Sequence, residues 1–239
     1  MAEIVITIDG PAGVGKTSVA QILAKRLGFK YFDTGAMYRT LALVAFEKNI
    51  SPTENVLLGK LALSLPISFH ENETGLKVFL EKRDISKSIR RPEIGMLAST
   101  ISQLKEVREA MWKLQRQLAK KAKKAVFEGR DMGTVVFPKA QVKFFLTASP
   151  EIRAERRWKQ LKAMGKEVSY KDIYESLLKR DKQDTERVIS PLEPAKDAII
   201  IDTTALSLKR VVEMVLKYTL NKLGGLWDEQ SGRENRDER

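Results

Sequence analysis

The sequence predicts an α/β fold, a three-layer sandwich in which helices cover both faces of a central parallel sheet. Three observations carry that reading. Strand, helix, strand, helix alternate between Ile4 and Lys48. The first strand runs directly into a glycine-rich loop that opens a helix, Gly10-Pro-Ala-Gly-Val-Gly15-Lys16-Thr17. Three further β-rich runs return late in the chain with helical segments between them.

Ile4-Val-Ile-Thr-Ile8 is a short run of β-formers, the pattern of a buried parallel strand, and Ser18 to Leu27 follows as a helix that closes at Gly28. Phe29 to Phe32 reads as a second strand, Asp33-Thr-Gly35 as a turn and Ala36 to Lys48 as a helix. The texture then changes between about Leu65 and Arg90. Ile67-Ser-Phe69 and Leu76-Lys-Val-Phe-Leu80 flank the turn signal Asn72-Glu-Thr-Gly75, so a small antiparallel insert is expected over residues 62–92. From Glu93 to Lys124 apolar residues recur at helical spacing, Ile94, Leu97, Ala98, Ile101, then Val107, Met111, Leu114 and Leu118, which predicts two helices, the first ending around Leu104. Ala125-Val-Phe127, Val142-Lys-Phe-Phe-Leu146 and Ala198-Ile-Ile-Ile201 are the remaining strands, with charged helical segments over 150–164 and 169–183. Gly224-Gly225 reads as the end of the last helix. One domain over 1–226 is expected, followed by a disordered, charged tail over 227–239 that has almost no apolar residues.

Composition excludes several classes of function. The chain has no cysteine, which rules out disulfides and thiolate metal sites, and its one histidine, His70, rules out a histidine-rich metal site. No apolar run approaches the roughly 18 residues of a membrane span, and Met1-Ala-Glu-Ile carries no basic leader. A cytoplasmic protein with no membrane partner is therefore expected. The net charge of +12 invites a nucleic-acid reading, above all at Lys120-Lys-Ala-Lys-Lys124 and Arg153-Ala-Glu-Arg-Arg-Trp-Lys159. Against it, 31 acidic residues are interspersed along the chain and no RNA-binding or zinc signature accompanies the basic runs, so nucleic acid is not expected as the primary partner.

The glycine-rich loop is a complete phosphate-binding loop. Its residues Gly10, Pro11, Ala12, Gly13, Val14 and Gly15 can turn backbone N–H groups toward an anion, Lys16 supplies charge for β- and γ-phosphates, and the Thr17 hydroxyl, followed by Ser18, can ligate Mg²⁺. ATP or GTP is the expected ligand, but kinases, ATPases and GTPases all share such a loop. Phosphoryl transfer needs arginines at strand ends. Arg39 lies just after Asp33-Thr-Gly35, and Arg130 and Asp131 follow the strand ending at Phe127, where ligands of an open α/β sheet bind.

Taken together, the motifs resemble bacterial cytidylate kinases, P-loop members of the nucleoside monophosphate kinases. The matching segments are Ile8-Asp-Gly-Pro-Ala-Gly-Val-Gly-Lys16, Asp33-Thr-Gly-Ala-Met-Tyr-Arg39, Val107-Arg-Glu109, Gly129-Arg-Asp-Met-Gly-Thr-Val-Val-Phe-Pro138 and Arg180-Asp-Lys-Gln-Asp-Thr-Glu-Arg187 with Pro191-Leu192. The resemblance covers about four-fifths of the chain. It implies a P-loop sandwich with the insert on the monophosphate side and a helical lid near 150–170. The implied reaction passes the γ-phosphoryl group of ATP to CMP or dCMP with Mg²⁺ present, as a step of pyrimidine nucleotide metabolism, in an enzyme working as a monomer.

The resemblance also implies residue roles. Arg39, Arg130 and Arg187 would hold the acceptor phosphate. Asp131, helped by Thr34, Ser99 and Arg108, would read the base, and Asp184 would take the sugar hydroxyls. Arg153, Arg156 and Arg157, at i, i+3 and i+4 of one helix, would belong to the lid over ATP, and Glu128 could organise water around Mg²⁺. Two departures, Glu81-Lys-Arg-Asp84 and Arg91 before Pro92, leave the turn geometry of the insert open, and Thr34 stands where serine is common. Competing readings are a kinase for UMP, AMP or a small metabolite, and a P-loop NTPase that works on nucleic acid.

Overall fold

The computed structural model describes residues 3–72 and 75–234. Strand β1 (Ile4–Asp9) is buried along its whole length and delivers the glycine-rich loop into α1 (Lys16–Leu27). Strand β2 (Lys30–Asp33) passes without a separate turn into α2 (Thr34–Glu47), two residues earlier than the sequence reading. The reason is local: the Asp33 carboxylate accepts the Ala36 N–H at 2.9 Å and caps the helix, so the expected turn is its first turn.

Helix α3 (Asn55–Leu63) was not anticipated; nine residues are too few for a clear periodicity. The insert is an antiparallel three-stranded sheet of β3 (Ile67–Asn72), β4 (Gly75–Leu80) and β5 (Arg83–Asp84). The middle of the anticipated Asn72-Glu-Thr-Gly75 turn lies outside the described residues. The second turn, at the Glu81-Lys-Arg-Asp84 departure, forms with Glu81 at φ 55° and Leu80 opposite Arg83. Arg83 then forks onto both carboxylate oxygens of Glu47 at 2.9 and 2.7 Å and ties the insert to α2.

A 3₁₀ turn (Ser88–Arg90) leads to α4 (Pro92–Ile101) and α5 (Lys105–Ala122). The first of these helices stops at Ile101 rather than near Leu104, because Leu104 is already extended and serves as the cap position of the second. Strand β6 (Lys124–Gly129) precedes a π-helical turn (Met132–Val136), and β7 (Val142–Thr147), α6 (Pro150–Ala163), α7 (Tyr170–Thr185), β8 (Ile199–Asp202) and α8 (Leu208–Glu234) complete the order. Helix α8 runs through Gly224-Gly225, which was read as its end. Glycine costs a helix only about 1 kcal/mol relative to alanine, and Gly224 does not take the left-handed conformation that terminates one. Of the tail expected to be disordered, 227–234 thus continue the helix, and 235–239 lie outside the described residues.

The main sheet is parallel, in the order β2-β6-β1-β7-β8. On β1, Ile4, Ile6 and Ile8 pack with Val19 and Leu23 of α1 and Val215 of α8, while Val5 faces the opposite layer with Phe127 and Phe137. Phe32 stacks on Phe127 at 4.7 Å between ring centroids. Each such fully buried side chain contributes about 2 kcal/mol. Helices α2 to α5 and the insert share a further core that includes Leu41, Leu58, Ile94 and Met111. Among the described residues no helix is long and apolar enough to cross a membrane.

The parallel order has one consequence for function. All five strands end on the same side, with Asp9 beside Gly129, Glu128 beside Asp33 and Thr147 beside Asp202. The loops after β1, β2 and β6 therefore meet at one edge, although they are far apart in the chain.

Candidate active site

The phosphate loop is built by close approach. Gly10 sits at φ 144°, and a Cβ there would lie 2.1 Å from the Leu146 carbonyl oxygen of β7, so no other residue fits without moving backbone. Gly15, at φ 95°, turns the chain into α1. Inside the loop, Lys16 donates from Nζ to the Pro11 carbonyl at 2.7 Å. Its pKa is held well below the usual lysine value, first by burial and then by the charge of Arg130, while Glu128 and Asp9 pull it back up. An amine held this way gains from any anion that enters the loop.

Thr17 donates its hydroxyl to Glu128 Oε2 at 3.1 Å, and the Tyr31 hydroxyl donates to Oε1 of the same carboxylate. Burial, followed by the nearby Asp33, raises the Glu128 pKa to about 7. A hydroxyl backed by a carboxylate is an oxygen donor set suited to a hard divalent cation. The described residues hold no cluster of three or more metal-ligating side chains, so a cation here would complete its shell from nucleotide phosphates and water. Ser18 is exposed on the first turn of α1, whereas Val14 is buried beneath the loop.

Across the cleft, Arg108 and Asp131 form a buried ion pair at 2.6 Å. The Arg108 guanidinium also donates to Ser190 Oγ at 3.3 Å and Ser102 O at 3.0 Å, and Trp112 Nε1 donates to Asp131 Oδ2 at 3.0 Å. Thr34 donates its hydroxyl to the Glu128 carbonyl at 2.7 Å, which holds the start of α2 against the end of β6. Ser99, on α4, donates its hydroxyl to Gln183 Oε1 of α7 at 3.4 Å. The loop after β6 is anchored from below. Asp9 accepts the backbone N–H groups of Met132 and Gly133 at 3.0 and 2.8 Å, and burial raises its pKa to about 6.

Asp184 gathers the arginines. Arg130 donates to it at 2.8 Å from Nε, and Arg187 donates to its other oxygen. Burial alone would raise the Asp184 pKa, but Arg130 and Arg187 outweigh it and hold it at about 2. Arg180 lies in the same charge field: burial and then Arg130 bring its pKa down to about 10, and its buried Nε has no partner among the described residues. Arg39 is half-buried and close enough to press on the charges of Arg180 and Arg157. Four arginines and one carboxylate thus leave a surplus of positive charge with unused donors, which an anionic group would satisfy.

The three α6 arginines do not act as one row. Arg153 is buried, donating to Ala148 O and to Ala12 O of the phosphate loop and pairing with Asp181 at 2.6 Å. Arg156 turns to Thr203 at the end of β8, with contacts at 3.1 and 2.6 Å. Arg157 donates to Gln160 at 2.7 Å, and burial and then the charges of Arg39 and Arg90 lower its pKa. Sequence reasoning missed Asp9, Trp112, Arg180 and Asp181. Arg180 was within a quoted motif, and Trp112 is one helical turn after Arg108, a spacing that could have pointed to it.

A phosphate loop and an arginine cleft at the carboxyl edge of one parallel sheet define a P-loop protein of the phosphoryl-transfer class. The family model for cytidylate kinase matches residues 6–221. This chain belongs to the cytidylate kinase family. It is 47% identical over 212 residues to the cytidylate kinase of Carboxydothermus hydrogenoformans, covering 89% of this chain and 95% of that one. It is 49% identical over 210 residues to the cytidylate kinase of Caldanaerobacter subterraneus subsp. tengcongensis, covering 88% and 92%. A crystal structure of an uncharacterized protein from Eubacterium ventriosum shares the fold alone, with a TM-score of 0.51 at 14% identity over 90% of this chain and 98% of that chain.

Proposed function

We propose that the chain transfers the γ-phosphoryl group of ATP to CMP or dCMP, giving ADP and CDP or dCDP. The observation that carries this reading is the buried Arg108–Asp131 pair, with Asp131 just past the end of β6, the strand that pairs with β1. A carboxylate can accept a hydrogen bond from the N4 amino group of cytosine. Uracil would present an oxygen there, acceptor against acceptor.

The donor side binds ATP through Gly10 to Ser18, with Lys16 at the β- and γ-phosphates. Thr17, with Glu128 behind it, would hold the Mg²⁺ of Mg·ATP, which supplies charge neutralisation at the transferring group. Arg39, Arg130 and Arg187 hold the acceptor phosphate. Their support is the arrangement around Asp184, which fixes two guanidinium forks and leaves other N–H groups free. Asp184 also reaches the sugar hydroxyls, and Thr34, Ser99 and Arg108 complete the base pocket around Asp131. With both phosphates held, the reaction needs little more than alignment of the acceptor oxygen with the γ-phosphorus and cancellation of charge.

Arg153 and Arg157 supply that charge from the lid, the first through its contact with the phosphate loop, the second from within the charge field of Arg39 and Arg90. Arg156 contributes on the nucleotide side, next to Thr203. Lid closure excludes water, the competing acceptor. These groups assemble within one chain, so the proposed reaction does not require a residue from a partner subunit.

The test is a coupled ADP-release assay with Mg·ATP and CMP, dCMP, UMP or AMP, plus a reaction without acceptor. Fast turnover with CMP and dCMP alone is the expected result. Preference for another acceptor, or acceptor-independent hydrolysis, would sink the reading of Asp131 and Arg108 while leaving the phosphate loop in place.

A further inference from the structure

We propose that Trp112 is a specificity-determining positioning residue: its indole N–H locks the Asp131 carboxylate so that one oxygen, Oδ1, is left to meet the acceptor base. This rests on the reading of Asp131 as the residue that reads the base.

The two Asp131 oxygens are not equivalent. Oδ2 accepts twice, from Arg108 Nη2 at 2.6 Å and from Trp112 Nε1 at 3.0 Å. Among the described residues no donor reaches Oδ1. Arg108 alone would hold the carboxylate poorly. Its Nε and Nη1 are committed to Ser190 and Ser102, so a single nitrogen serves Asp131 instead of a two-pronged fork. A carboxylate held at one point can still turn about its last torsion, which is broad and two-fold.

The indole removes that freedom. It is a donor only, with one N–H in a fixed direction, on a side chain with two rotatable bonds. It sits on α5 one turn after Arg108, and its ring packs against the core that contains Phe127 and Val136. Arg108 and Trp112 therefore approach Oδ2 from two successive turns of one rigid helix. With Oδ2 saturated, the carboxylate plane is set and Oδ1 is the acceptor that remains. For cytosine, Oδ1 meets an N4 donor. For uracil, it meets an oxygen, and the carboxylate cannot rotate away from the repulsion. Discrimination thus depends on how firmly the carboxylate is held as well as on its presence.

The experiment measures kcat and KM for CMP and for UMP, at saturating Mg·ATP, in the parent chain, Trp112→Phe, Asp131→Asn and the double variant, with KM for ATP and thermal unfolding followed alongside. Trp112→Phe keeps an aromatic ring in the core and removes only the N–H. It is expected to lower the CMP-to-UMP ratio of kcat/KM by at least about threefold, mainly by raising KM for CMP, with KM for ATP unchanged. In the Asp131→Asn background the side-chain amide can still accept from both donors through its oxygen and turn its NH2 toward the base, so the same substitution should no longer lower the ratio. If Asp131→Asn collapses the ratio while Trp112→Phe leaves it intact, Trp112 merely packs and the inference is overturned. If Asp131→Asn itself leaves the ratio unchanged, the base is read elsewhere, and the inference falls with that reading. Should Trp112→Phe unfold, Trp112→Leu, apolar and helix-favouring, carries the same comparison.

Discussion

At the scale of single residues, the site is a set of buried charges that lean on one another. Asp184 shows the balance: its folded pKa of about 2 lies below its unfolded value near 3.8. The sign follows directly. A depressed carboxylate contributes stability that is fully present above pH 4 and is lost as the pH falls toward 2, here about 2 kcal/mol. Denaturant titrations between pH 5 and 2.5 should show the parent chain losing stability more steeply than Asp184→Asn; parallel curves would place the ion pairing elsewhere. Asp9 is the mirror case, a carboxylate that pays for burial and retains its place by accepting two amides. Asp9→Ala strands both buried N–H groups and should cost about 2 kcal/mol or more in equilibrium unfolding. Lys16→Ala should lower turnover by orders of magnitude and leave CMP binding measurable by calorimetry; undiminished turnover would refute the loop's role in the reaction.

At the scale of elements, glycine and capping choices decide where helices begin and how closely they pack. Gly59, inside α3, allows α5 to approach so closely that a Cβ would lie 2.9 Å from Glu106 Cβ and 3.2 Å from Glu106 backbone. Alanine normally improves a helix by about 1 kcal/mol. At this position the gain should reverse, with Gly59→Ala lowering the melting temperature because two helices must separate. The insert is fastened in a similar way, by residues the family pattern would not suggest. Arg83 forks onto Glu47, and the Arg91 guanidinium lies 5.3 Å over the Phe46 ring, so both departures in this region became attachments to α2.

At the scale of the whole molecule, the net charge of +12 has a cleft to serve. Arginines 39, 130, 180 and 187 sit in one charge field that attracts phosphorylated ligands, so kcat/KM for CMP should fall as salt rises through the range where screening shortens to about 10 Å. Added RNA or DNA should not stimulate ATP hydrolysis; stimulation would favour a nucleic-acid motor instead.

The sequence by itself determined the phosphate loop, the α/β layering and the strands and helices whose periodicity is long enough to read, from Ile4–Asp9 to the helices around Val107 and Met111. These are legible because neighbouring residues produce them. Its reach ended where local preference is weak, at the short α3, at the helix start moved by the Asp33 cap, and at Gly224-Gly225, which α8 passes through. Only the tertiary structure decided that β6 inserts between β2 and β1, and everything at the cleft follows from that pairing. It brings Asp9 beneath Met132 and Gly133, Thr34 onto Glu128, and Arg130 within reach of Asp184. Strand order is chosen by packing across the whole sheet, and no stretch of residues carries it alone.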